Sequence, residues 1–194
     1  MFFKTTLFAT AALVCGTAVS AQDFLPRADV EAVTGTYRSA APEAWYGGFG
    51  TREFTFANGQ WHLIFTHALD PAMTMRTFQF RTGGPFEIGQ PSEAVAGAFH
   101  GVFHEDWKHV TLLIDNPEIV AAMGMAECGL TYNLETDISE TGCAAWRPVA
   151  DCGEDHDLFA MDATGVYFGV RPADNDMCSA DKTPTALLPV VARF

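Results

Sequence analysis

Asn58-Gly59 sits between two segments whose apolar residues recur at every second position, and that arrangement constrains the fold more than any other feature. On one side Arg52-Glu53-Phe54-Thr55-Phe56 alternates charge or threonine with phenylalanine; on the other Trp61-His62-Leu63-Ile64-Phe65 alternates again. Side chains on a strand point to opposite faces in turn, so each segment offers one apolar face, and Asn-Gly tolerates the positive φ angles of a tight turn. The spacing predicts an antiparallel hairpin. Further alternating segments lie at 77–82, 93–104, 108–115, 130–138, 157–161 and 165–170, with Gly83-Gly84-Pro85, Gln90-Pro91-Ser92 and Arg171-Pro172 as punctuation. This many short strands at this spacing predict an all-β chain folded as an antiparallel barrel or sandwich. Two short helices interrupt it. Asn116-Pro117-Glu118 supplies an N-cap, a proline at the first helical position and an acid facing the positive helix end, with 119–125 to follow. Residues 26–33 form a short amphipathic turn that covers one barrel mouth.

The apolar faces of these strands make a large aromatic set. Phe54, Phe56, Trp61, Leu63, Phe65, Phe78 and Phe80 share one parity, and Phe99 and Leu112 continue it. Gly97 and Gly101 fall on the face of Phe99, where missing side chains either leave room for a guest or mark bulges and corners. Barrels of about eight strands either pack solid or hold one small ligand, and periodicity does not choose between them.

Residues 1–21 read as a secretory signal: one lysine at position 4, an apolar stretch of small residues, and Val19-Ser20-Ala21 before a cleavage at Ala21/Gln22. The apolar run is shorter than the ~20 residues of a spanning helix. Residues 22–194 then form a single domain outside the cytosol, where Cys128, Cys143, Cys152 and Cys178 pair. Four cysteines allow three connectivities. With 24 acidic against 11 basic residues the chain carries a formal charge of −13, which repels phosphate backbones and disfavours a nucleic-acid partner. No later apolar run is long enough for a transmembrane anchor.

The chain offers little catalytic apparatus. It has no G-x-S-x-G elbow and no glycine-rich phosphate loop after a strand. Asp155-His156-Asp157 resembles half of a triad, but such local charge is expected to be solvated. His100, His104 and His109, with Glu105 and Asp106, are the candidate metal ligands, read otherwise as a solvated acidic loop at a hairpin end.

The ordered fragments resemble the adenomatosis polyposis coli down-regulated family. Gly35-Thr36-Tyr37-Arg38-Ser39 is similar to its Gly-x-Trp-x-Ser opening, and Thr51-Arg52-Glu53-Phe54-Thr55-Phe56 to its Thr-Arg-x-Phe-x-Phe strand. Trp61, Asp70-Pro71, Thr77-Phe78-Gln79-Phe80, Glu127-Cys128-Gly129, Gly142-Cys143, Asp157-Leu158-Phe159 and Tyr167-Phe168-Gly169 follow in order, over one domain copy from about 34 to 187. The resemblance implies a lipocalin-like antiparallel β half-barrel with an apolar pocket for an acyl chain. The guest would be a fatty acid or a lipid-modified ligand, lying against the nine apolar residues named above. Arg52 and Arg76, which flank the aromatic strands, are the headgroup candidates. It also implies a Cys128–Cys143 bridge, leaving Cys152 for Cys178. Ala41, Pro42, Ala72 and Met73 stand where relatives carry a further cysteine pair, and the family's second domain is missing. Three functional expectations result: a secreted or periplasmic acyl-binding protein without a cofactor, a periplasmic metal-binding protein using the three histidines, and a filled-core structural or interaction domain.

Overall fold

The computed structural model describes residues 23–194, so the expected signal segment and its cleavage site lie outside the described residues. Within them the chain forms an eleven-stranded antiparallel sheet. The strands are β1 (Gly35–Ser39), β2 (Glu43–Trp45), β3 (Gly48–Ala57), β4 (Gln60–Ala68), β5 (Arg76–Pro91) and β6 (Phe99–His104), followed by β7 (Trp107–Leu112), β8 (Glu135–Asp137), β9 (Glu154–Met161), β10 (Gly165–Phe168) and β11 (Val191–Arg193). Eight of them close a ring, β3-β1-β11-β10-β9-β6-β5-β4, because β1 pairs on one side with β3 and on the other with β11. The antiparallel all-β barrel expected from the alternation is present, and it is closed.

The Asn58-Gly59 hairpin forms as predicted. Ala57 opposes Gln60, and both turn residues have positive φ, 54° and 72°, the combination that matches the twist of the flanking strands. Helix α1 (Arg27–Glu31) buries Val30 under the barrel core, while Arg27 donates to the Ile88 and Gly89 carbonyls. Helix α2 (Pro117–Ala122) starts at Asn116, whose side chain accepts from the Glu118 and Ile119 N–H groups and satisfies two otherwise orphaned donors.

Two expectations about strand boundaries are corrected. Gly83-Gly84-Pro85 is no gap: β5 runs through it, paired with β4 throughout. A Cβ on Gly83 would stand 2.6 Å from the Trp61 carbonyl oxygen, and one on Gly84 2.5 Å from that of His104, so the close approach of both neighbouring strands requires the two glycines. Residues 93–98, expected in a strand, turn instead, because the Ser92 hydroxyl accepts from the Ala94 and Val95 N–H groups. Gly97 and Gly101 leave no vacancy. Phe24 packs where a Gly97 side chain would project, and the ring of Phe103 where one on Gly101 would.

The length of β5 gives the molecule two cores. Its second half pairs with β6 and its first half with β7, so β6 and β7 run end to end along one edge, broken only at Glu105 and Asp106. Beyond that break β6 continues into the barrel through β9, whereas β7 leaves it and pairs with β8. The barrel core holds Phe54, Phe56, Trp61, Phe99, Phe103, Phe159 and Phe168. A second core, under the 113–153 excursion, holds Phe65, Phe78, Phe80, Leu112, Ile138 and Trp146. Leu63 packs against both.

Disulfides Cys128–Cys143 and Cys152–Cys178 are present in the pairing the resemblance implied, the first within the excursion and the second tying its end to the β10–β11 connection. Two such bridges suggest a protein of a non-cytoplasmic, oxidising compartment. Among the described residues no helix is long and apolar enough to cross a membrane.

Candidate functional site

A cavity of about 60 Å³ lies where the two cores meet. Most of its apolar lining is aromatic: Phe54, Trp61, Phe65, Phe80, Phe103, Trp146 and Phe168, with Leu63 among them and Trp45 and Tyr46 from the β2–β3 corner. Rings in this lining contact each other directly, Phe54 stacking on Phe168 at 4.1 Å and Phe80 on Trp146 at 4.6 Å. The same cavity is also lined by charged side chains, Arg52, Glu105, Lys108, Asp155, Asp157 and Arg171.

Each charged side chain reaches the interior for a local reason. Arg52 shares the parity of Phe54 and so must face inward; Glu43 of β2 meets it bidentately, both N–H···O distances being 2.8 Å. Glu105 occupies the break between β6 and β7, where its backbone N–H turns away to the Gly153 carbonyl. Lys108, only 1% exposed, spends all three ammonium protons, donating to Glu105 Oε2 at 2.8 Å and to the carbonyls of Arg147 and Cys152 at 3.0 and 2.6 Å. Asp155 and Asp157 follow the inward parity of Phe159. Asp155 clamps Arg171 with both oxygens, at 2.7 and 3.2 Å. Arg171 Nε and the Tyr46 hydroxyl both donate to Asn175 Oδ1. Asp157 Oδ1 accepts from the Leu158 and Gly169 N–H groups at 2.7 and 2.8 Å.

Burial shapes the acidity of these side chains. It pushes the Asp157 carboxyl up to about 7, against the pull of Arg171 and with help from the charge of Asp155. Burial and then Asp155 likewise push Glu105 up to about 7, against the pull of Lys108 and Arg171. Burial is the largest influence on Arg171 and opposes its charge, but Asp155, Tyr46 and Asp157 together hold the guanidinium above its ordinary value. The Tyr46 phenol is raised by burial.

Of the apolar residues expected around a guest, Phe54, Trp61, Leu63, Phe65 and Phe80 line the cavity. Phe56 and Phe99 are packed within the barrel core, and Phe78 and Leu112 within the second core. Arg52 reaches the cavity, already paired with Glu43; Arg76 does not, and lines a separate pocket with Thr74, Met75 and Tyr132. His104 lies 3.9 Å from Glu87 and 3.7 Å from Glu154, His109 lies 3.2 Å from Glu135, and His100 is exposed. Among the described residues no group of three or more such side chains converges as metal ligands would.

The acidic segments expected to be solvated are corrected on three residues. Glu105, Asp155 and Asp157 are 6%, 6% and 4% exposed, because Lys108, Arg171 and backbone N–H groups compensate their burial. A signal for this was present: Asp155 and Asp157 share the parity of Phe159, which puts them inside if the strand is. The chain is therefore a closed antiparallel β-barrel with a cavity lined by both aromatic and charged side chains. No model of a known protein family matches it, and no curated protein matches it either.

Proposed function

We propose that the protein is a secreted or periplasmic binding protein, released by cleavage near Ala21/Gln22, that seats the acyl chain of a lipid or lipid-modified ligand in the barrel cavity. The observation that carries this reading is the position of the cavity between two aromatic cores, with Leu63 bridging them. The motif likeness to the adenomatosis polyposis coli down-regulated family points the same way. A volume of about 60 Å³ admits the leading few carbons, being smaller than the ~150 Å³ that holds benzene. Seating a longer chain includes outward movement of Tyr46, which is 44% exposed and whose hydroxyl is held by Asn175. Each buried methylene contributes roughly 0.8 kcal/mol before ordering costs, so a chain of ordinary fatty-acid length can bind usefully without a matched headgroup site.

The test is displacement of a fluorescent fatty acid by unlabelled chains of increasing length, with native mass spectrometry of protein purified without detergent. Affinity should rise with length until the cavity and its mouth are filled. A protein that takes up neither this probe nor an uncharged chain such as octanol, and carries no lipid by mass, would refute the reading.

A further inference from the structure

The charged lining is unevenly matched. Arg52 is held by Glu43, Lys108 by Glu105 and Arg171 by Asp155, one carboxylate to each cation. Asp157 is left over. Its Oδ1 is used by two backbone N–H groups, while Oδ2 makes no hydrogen bond among the described residues and, since no buried side-chain oxygen there lacks a partner, is not itself sealed from the cavity that Asp157 lines. Aromatic rings line the same cavity: Phe168 immediately precedes the Gly169 that binds Asp157, Phe54 stacks on Phe168, and the Phe103 ring centre lies 5.4 Å from that of Phe168. A carboxylate oxygen beside several aromatic faces attracts a cationic nitrogen twice over, by charge and by the ring quadrupoles. An anionic headgroup fares worse. Lys108 has no N–H left to offer, and both guanidiniums are already clamped by carboxylates.

We propose that the ligand of this pocket carries a positively charged nitrogen, seated against Asp157 and the faces of Phe54, Phe103 and Phe168. The proposal rests on the cavity being a ligand site, as argued above, and adds the charge of the ligand's polar end. It predicts a competition: with no ligand the Asp157 carboxyl, pushed up to about 7, takes a proton below neutrality, and the cation must displace it. Asp155, Arg171, Glu105 and Lys108 face the same space and set the field in which this happens.

The experiment titrates the full chain with octyltrimethylammonium, octanoate and octanol, three probes with the same tail and a positive, negative or neutral head. Near pH 8 the ammonium should bind at least about tenfold more tightly than octanol, and octanoate more weakly than octanol. Between pH 8 and pH 6 the ammonium affinity should fall about tenfold, as expected for a carboxyl titrating near 7, with octanol unchanged. Asp157→Asn should bring the ammonium down to the octanol level. The pH series on the unmodified protein keeps the test decisive if that variant folds poorly. Octanoate binding best, or an ammonium no tighter than octanol, overturns the cation proposal and leaves the pocket reading standing. Binding of none of the three overturns both.

Discussion

Raising the pH from 5 to 8 should destabilise this fold, and Asp157 should carry much of the effect. Its carboxyl is buried and pushed up to about 7, whereas in an unfolded chain it titrates near ~3.9. Between those values the native state holds a proton that the unfolded state has released. Stability from this group is thus complete below about pH 4, declines through the window and is lost above about 7. Three powers of ten in acidity amount to ~4 kcal/mol, of which roughly 2.5 kcal/mol falls between pH 5 and pH 8. Glu105 adds a slope of the same sign, but its tie to Lys108 makes it a poorer variant. Asp70, Glu135, Asp137 and Asp176 are held below their ordinary values and cost stability only in more acidic solution, outside this window. Asp157→Asn keeps a carbonyl acceptor for the Leu158 and Gly169 N–H groups and removes the titration. The variant should therefore gain on the unmodified protein as pH rises, by about 2–3 kcal/mol from pH 5 to pH 8. Denaturant midpoints followed by the fluorescence of the four tryptophans measure this directly. His67, held below its ordinary value by burial, opposes this slope in the same window and does so in both proteins, so parallel stability curves for the two would refute the reasoning.

Leu63→Trp and Leu112→Trp should behave differently. Leu63 borders the cavity, so its variant should fold and lose fatty-acid probe binding, whereas Leu112 is packed in the second core and its variant should lose ~1–3 kcal/mol or more in thermal or chemical denaturation. Replacing Cys152 and Cys178 by alanine, opening a 26-residue separation, should cost about 3 kcal/mol, and opening the 15-residue separation of Cys128 and Cys143 a comparable amount, both read from denaturant midpoints without reductant. Asn116→Ala leaves the Glu118 and Ile119 N–H groups without their cap and should cost ~1 kcal/mol, with faster amide exchange confined to the start of α2.

What the sequence determined by itself was local. The alternation around Asn58-Gly59 places Phe54, Phe56, Trp61 and Phe65 on one face because strand periodicity depends only on neighbouring backbone, and the turn follows from what Asn and Gly tolerate. Asn116 caps its helix through groups two and three residues away. The tertiary structure decided everything that needed a distant partner. Closure depends on β11 returning to β1, with Tyr37 opposite Arg193. The passage of β5 through Gly83 and Gly84 depends on the carbonyls of Trp61 and His104. The charged lining of the cavity shows the reason most clearly. Alternation could put Asp155 and Asp157 on an inward parity, but a charge is buried only if something compensates it. For Lys108 the nearby Glu105 supplies the counter-charge, but its other two partners are carbonyls 39 and 44 residues away, and for Asp155 the partner is an arginine 16 residues away. Periodicity carries no information about such partners. The folded chain supplies them, and in doing so leaves Asp157 as the one carboxylate in that lining without a cation of its own.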